Sequence, residues 1–334
     1  MNEYFTLFAE QQILLLRQTS AKVGLPEQAI EKDLWVTVIL QSLFSLPYAD
    51  KLLFKGGTTL AKVGLIDRFS EDIDLAMDRS LFGFEGDLTK KQLKTLRKKS
   101  STFVRDTLAT DLTRALEEYG LSGLCEVEPE PDGEGDKTYP EPRKIHVRYH
   151  SVFGSPLPYL RPEVMLEVGA RSLIEPFQMV KVSSFVTQST PIVTSISDVM
   201  IPMAEPRKTF LEKAFLLHEL FSTGTPIRAD RKSRHLYDLE KMMRHPEILS
   251  AVKDDALWNN IHHHRSVFTP LHEVDYSPDI RDRICLVPPE NSIGNWRNDY
   301  LAMCESMIYE ASPVSFDRLI NRMRELENIF RSRE

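Results

Sequence analysis

The chain has 334 residues, 42% hydrophobic and 27% charged, with a net charge of −7. That balance predicts a water-soluble protein of one large or two closely joined domains. The acidic excess excludes a grip on nucleic acid spread over the whole surface. No apolar run nears the roughly 20 residues of a membrane span, and "ILLL" near residue 13 has no basic leader. Cys125, Cys285 and Cys304 show no C-x-x-C spacing, so the expectation is a cytoplasmic protein without membrane contact, disulfide framework or structural zinc.

In chain order, the first 50 or so residues read as helices. Pro26 and Glu27 open one, and "AIEKDLWVTVILQSLFSL" continues it with apolar residues at helical spacing. "KLLFKG" is a short apolar run stopped by Gly56-Gly57, which predicts a strand ending in a tight turn. "TTLAKVGLI" then reads as a short helix and "EDIDLAM" as a second strand. Residues 88 to 121 form an amphipathic helical pattern with a break. "CEVEPEPDGEGDKTYPEP" is acidic and rich in Pro and Gly, and is expected to be a loop or hairpin insertion. Three strands follow in "KIHVRYHSV", "EVMLEVGA" and "MVKVSSFVT", and from about residue 195 the chain turns helical. The pattern predicts an α+β catalytic core over 1–194, N-terminal helices included, and a mainly helical domain over 195–334.

With 49 acidic residues, about seven acidic-x-acidic pairs arise by chance, so a D-x-D pair needs context. "EDIDLAM" supplies it. Ile73, Leu75 and Met77 alternate onto one face while Asp72 and Asp74 share the other, with bases roughly 6–7 Å apart. Two carboxylates this close repel unless a cation lies between them. Hard oxygen ligands suit Mg²⁺, whose shell is completed by water and substrate phosphates, and two such ions serve in-line phosphoryl displacement. Upstream, the backbone N–H groups of Gly56, Gly57, Thr58 and Thr59, with both threonine hydroxyls, are expected to cradle a triphosphate.

The other candidates surround this centre. In "EVMLEVGAR", Glu163 and Glu167 share a strand face, and Glu167, deeper in the run, is preferred as third metal ligand or general base. Lys213 falls at the edge of the apolar stripe of "FLEKAFLLHELF" and is expected to bury its stem while presenting charge to phosphates. Arg231, Arg234, His235 and Asp238 recur at i, i+3, i+4 and i+7, which predicts a cationic helix face with Asp238 orienting an Arg or Lys213. Lys55 and Lys62 are further phosphate contacts. Consecutive histidines 262 to 264 do not share a face and are assigned no metal. Two basic patches remain for RNA: Lys90, Lys91, Lys94, Arg97, Lys98 and Lys99, then Arg228, Arg231, Lys232 and Arg234.

"AIEKDLWVTVILQSL" followed by "LLFKGGTTLAKVGLIDRFSEDIDLAM" resembles the nucleotidyl transferase family of AbiEii/AbiGii toxins. "FLEKAFLLHEL", "RKSRHLYDLEKM" and the helical tail from "WRNDY" extend the resemblance over nearly the whole chain. Two departures stand out: Thr58-Thr59 in the turn, and His235 where an acid often sits. The resemblance implies a DNA-polymerase-β-like nucleotidyltransferase fold and a toxin of an abortive-infection or type IV toxin–antitoxin system, with an antitoxin encoded in the same operon. It also implies transfer of NMP from an NTP to an RNA acceptor such as tRNA. A small-molecule or protein acceptor, or a non-catalytic NTP-binding module, are the alternatives that the sequence leaves open.

Overall fold

A computed structural model of the chain describes residues 3–133, 141–154, 160–190, 199–223 and 229–332. The chain divides into two compact units: residues 1–62 with 70–204, and residues 63–69 with 205–334. The boundary expected at 194–195 lies outside the described residues.

Unit 1 begins with α1 (Ala9–Val23) and α2 (Glu27–Leu43), then β1 (Leu52–Lys55), α3 (Gly57–Lys62) and β2 (Ile73–Met77). The helical pattern of 88–121 becomes α4 (Lys90–Phe103) and α5 (Ala109–Glu118). A π-helical turn, Val104–Leu108, is the break between them. The strands β3 (Cys125–Pro129), β4 (Arg143–Tyr149), β5 (Glu163–Gly169) and β6 (Phe177–Val182) follow, then α6 (Phe185–Ser189) and β7 (Val199–Ala204).

One seven-stranded sheet in the order β3-β4-β5-β2-β1-β7-β6 forms the centre of unit 1. It is mixed: β2–β5 and β1–β7 are parallel, and the other pairs are antiparallel. Of the two readings of the acidic insertion, the hairpin holds: Cys125–Pro129 pairs antiparallel with β4 as an edge strand despite the acidic, proline-rich composition. One strand departs from the sequence reading. β7 lies beyond the expected end of the core, where its parallel pairing with β1 requires a strand. The tip of the acidic insertion, residues 134–140, lies outside the described residues.

Alternation along the strands separates two faces. On β4 the buried set is Arg143, Ile145, Val147 and Tyr149; on β5 it is Val164, Leu166 and Val168. α2 and α4 pack against this face. Trp35 of α2 stacks on Tyr149 at 4.9 Å between ring centroids, and the fully buried Arg143 donates to Ser101 Oγ of α4 at 2.8 Å. Their alternates, including Asp74, Glu167 and Lys144, therefore point to the opposite face.

Unit 2 contains α7 (Pro206–Ser222), α8 (Arg234–Met242), α9 (Pro246–Leu249), α10 (Asp255–Phe268), α11 (Ile293–Ser306) and α12 (Phe316–Ser332). Its early segment 63–69 is held by backbone bonds from Phe69 N–H to Met307 O (2.7 Å) and from Tyr309 N–H to Asp67 O (3.0 Å). No helix among the described residues is long and apolar enough to cross a membrane.

Candidate active site

The carboxylates are placed by strand register. Lys55 of β1, Asp74 of β2, Glu167 of β5 and Lys144 of β4 are successive cross-strand partners. Neighbouring strands lie about 4.8 Å apart, so these four side chains form one row across one face. Glu167, not Glu163, is level with Asp74. Lys144 Nζ lies 3.5 Å from Glu167 Oε1. Glu163 is instead engaged by His146 Nδ1 at 3.0 Å and Arg148 Nε at 3.1 Å. Burial opposes its ionisation, but these two partners outweigh burial and hold its carboxyl below the ordinary range. Asp72 stands just before β2, at the spacing that returns a side chain to the Asp74 face.

The glycine turn abuts this row. Gly56 has φ +87°, and a β-carbon there would lie 1.8 Å from Asp74 Oδ2. Residue 56 must therefore lack a side chain on two independent grounds: its backbone conformation and the space Asp74 occupies.

The structure corrects three expectations around the turn. Thr58 and Thr59 are buried, and their hydroxyls are already committed. Thr58 Oγ1 donates to Asp72 O at 2.5 Å and lies 2.9 Å from Ser70 Oγ, while Thr59 Oγ1 donates to Gly56 O at 2.7 Å. They brace the turn from inside. Lys62 does not face a ligand either: its ammonium donates to Asp33 Oδ1 at 2.5 Å, to Thr37 Oγ1 at 3.0 Å and to Ser183 O at 3.4 Å. Buried between α2 and α3, it has its donors taken.

The carboxylates beside the turn offer the hard oxygen donors that could hold a magnesium ion. Among the described residues, no three His, Cys, Asp or Glu side chains close round a common point. An ion held by one or two carboxylates and completed by water and substrate phosphates needs no such cage. Asp72, Asp74 and Glu167 are the residues that fit this role.

The remaining candidates lie in unit 2. α7 is buried on nearly every side instead of presenting a stripe, and Lys213 is 8% exposed. Asp238, fully buried, accepts both arms of Arg68 (2.7 and 2.8 Å) and lies 2.8 Å from Lys213 Nζ. Sequence reasoning paired Asp238 with Lys213 but missed Arg68, 170 residues away, for which no local pattern gives a signal. Burial opposes ionisation of Asp238, but Arg68 and Lys213 together hold its carboxyl far below the usual range. Burial, against Asp238, pushes the Lys213 ammonium down. Burial and the nearby Lys213 and Arg234 charges push the ring pKa of His235, whose Nδ1 lies 3.5 Å from Lys213 Nζ, well below its ordinary value. The expected helix face is shorter than four residues. α8 starts at Arg234, whereas Arg231 precedes it with φ +57°, its backbone N–H donating to Asp299 Oδ1 at 2.6 Å. Arg228 lies outside the described residues.

A mixed sheet that sets a D-x-D pair against a glycine turn is the framework of a nucleotidyltransferase. The chain belongs to the nucleotidyl transferase AbiEii toxin family of type IV toxin–antitoxin systems, whose profile matches residues 38–322. That membership makes it a nucleotidyltransferase toxin with a nucleotide substrate and an antitoxin partner. Among solved structures, the JHP933 protein of Helicobacter pylori is similar at 14% identity, covering 92% of this chain and 94% of its own, with a TM-score of 0.45. The nucleotidyltransferase toxin MenT4 of Mycobacterium tuberculosis H37Rv is similar at 16% identity, covering 97% and 98%, with a TM-score of 0.42. No curated protein matches the chain.

Two outcomes are expected. Gly56→Ala forces Asp74 aside and lowers nucleotidyl transfer about a hundredfold, the scale of a misplacement near 1 Å. Gly64→Ala shares the positive φ (+72°) but meets nothing within 4 Å; it costs about 1 kcal/mol of strain and leaves transfer unchanged. Paired activity and thermal-melt measurements separate the two effects. Asp238→Asn strands two buried cations and lowers the unfolding free energy by about 3–5 kcal/mol in denaturant titrations. Because the folded pKa of Asp238 lies below its unfolded value, its stabilisation is complete above about pH 4 and is lost as pH falls through the folded value. The asparagine variant lacks that acid-dependent component.

Proposed function

We propose that the protein is a cytoplasmic, Mg²⁺-dependent enzyme that transfers NMP from an NTP to an RNA acceptor, with tRNA as the substrate class. The observation that carries this reading is the Asp74 carboxylate seated against Gly56 and level with Glu167. In the reaction, an acceptor hydroxyl forms a new bond to the α-phosphorus and releases its proton to water, the α–β anhydride bond breaks, and pyrophosphate leaves with the electron pair. Bound Mg²⁺ supplies Lewis-acid stabilisation of the phosphoryl oxygens. The chain's own part is orientation. Asp72 and Asp74 hold the metal face, Glu167 is the third oxygen donor, and the backbone of Gly56 to Thr59 receives the triphosphate. Lys55, beside Asp74 in the row, adds positive charge at the same level.

A polyanionic acceptor is supported by α4. Lys90, Lys91, Lys94, Arg97, Lys98 and Lys99 are exposed on this one helix, which carries no acidic residue. In a chain of net charge −7, that is a concentrated site for phosphodiesters.

The test incubates the purified protein with Mg²⁺, total tRNA and each of the four labelled NTPs. Label is expected on RNA with at least one NTP, and Asp74→Asn reduces it at least about a hundredfold. Folded wild-type protein that labels no RNA with any NTP would sink the acceptor assignment.

A further inference from the structure

α2 is buried along almost its whole length, yet it carries three consecutive charges, Glu31, Lys32 and Asp33, at 2%, 5% and 7% exposure. Successive helical residues project about 100° apart, so the three reach different parts of unit 1. Glu31 accepts from Ser151 Oγ (2.6 Å) and Val152 N–H (2.8 Å). Lys32 donates to Glu71 Oε2 (2.6 Å) and to Arg161 O (3.3 Å). Asp33 accepts from Lys62 Nζ (2.5 Å) and from Phe185 N–H (2.8 Å).

Two of these partners occupy special places. Lys62 ends α3, the helix that starts at Gly57 in the glycine turn, and it is the last residue of unit 1 before the chain departs into unit 2. The chain returns at Ser70, and Glu71 immediately precedes Asp72. The covalent connection between the turn and the D-x-D strand thus runs through residues grouped with the other unit. Within unit 1, adjacent charges on α2 grip both ends of that excursion, and the bond from Thr58 Oγ1 to Asp72 O ties the ends to each other.

We propose that Lys32 and Asp33 are positioning residues for the carboxylate pair: they fix the glycine turn and the lead into Asp72 at one separation, so that Asp72 and Asp74 meet a metal ion as a pair. The proposal rests on Asp72 and Asp74 being metal-binding carboxylates. A buried ion pair contributes little net stability over an apolar replacement but demands one geometry. An apolar contact at the same places would hold the elements together while letting them slide by fractions of an ångström, which a metal site does not tolerate.

The test uses the full chain with Mn²⁺ as probe, its binding followed by electron paramagnetic resonance. kcat and NTP KM are measured alongside, at temperatures well below each variant's melting point. In Lys32→Met, Mn²⁺ binding is expected to weaken about tenfold and kcat to fall by about 10–100-fold with NTP KM within about twofold. Lys32→Arg, which reaches Glu71 with the same charge, restores both. The double variant Asp33→Asn with Lys62→Met removes the second pair without stranding a charge. It is expected to show the same loss, and it decides the matter if Lys32→Met does not fold. Folded variants with wild-type Mn²⁺ affinity and kcat overturn the proposal, as does a loss in Lys32→Met that Lys32→Arg fails to repair. Wild-type protein whose Mn²⁺ binding is unchanged by Asp74→Asn overturns the metal reading beneath it, a result separate from the variants' behaviour.

Discussion

The carboxylate of Asp74 lies where a β-carbon on residue 56 would have to be, and the layout of unit 1 follows from that shared space. β1 and β2 are antiparallel neighbours with Lys55 opposite Asp74, so the chain must turn away immediately after Lys55 or block the acid. A left-handed glycine makes that turn, and α3 leaves from it. The parallel pairing of β2 with β5 then brings Glu167 level with Asp74. The site is a consequence of register: shift β2 by one residue and Ile73 would face Gly56 while the acids faced the core.

Around this contact the polar side chains act as internal fasteners more than as ligands. The hydroxyls of Thr58 and Thr59, the ammonium of Lys62 and the carboxylate of Asp33 are all satisfied within the protein. Such bonds limit reorganisation when charge develops nearby, which is how preorganised sites gain rate. In unit 2, Asp238 is likewise consumed: its two oxygens are shared by Arg68 and Lys213, so it serves as a counter-ion that keeps two cations fixed in the interior.

Much of this could be read from sequence because it depends on period and local chemistry. Alternation in "EDIDLAM" and "EVMLEVGA" separated acids from core. The unread parts depend on partners distant in the chain. Nothing near Lys62 shows that Asp33 will bind it, and nothing near Asp238 points to Arg68. β3 reads as either loop or hairpin because acids and prolines are disfavoured in strands, yet on an edge with one partner they are tolerated. One signal was present and unused. Three charges in succession inside the otherwise apolar "AIEKDLWVTVILQSL" announce buried ionic partners, since a wholly buried helix does not carry unpaired charge.

The excursion of residues 63–69 sets an order of events during synthesis. Arg68 leaves the ribosome 170 residues ahead of Asp238, an interval on the order of ten to thirty seconds at usual elongation rates. Over that time its guanidinium stays hydrated, and Asp67 and Phe69 wait for Tyr309 and Met307 as well. The helical unit is therefore necessarily the last to mature. A ribosome that stalls before Asp238 leaves a nascent chain with a short docking strip and nothing yet made to dock on it.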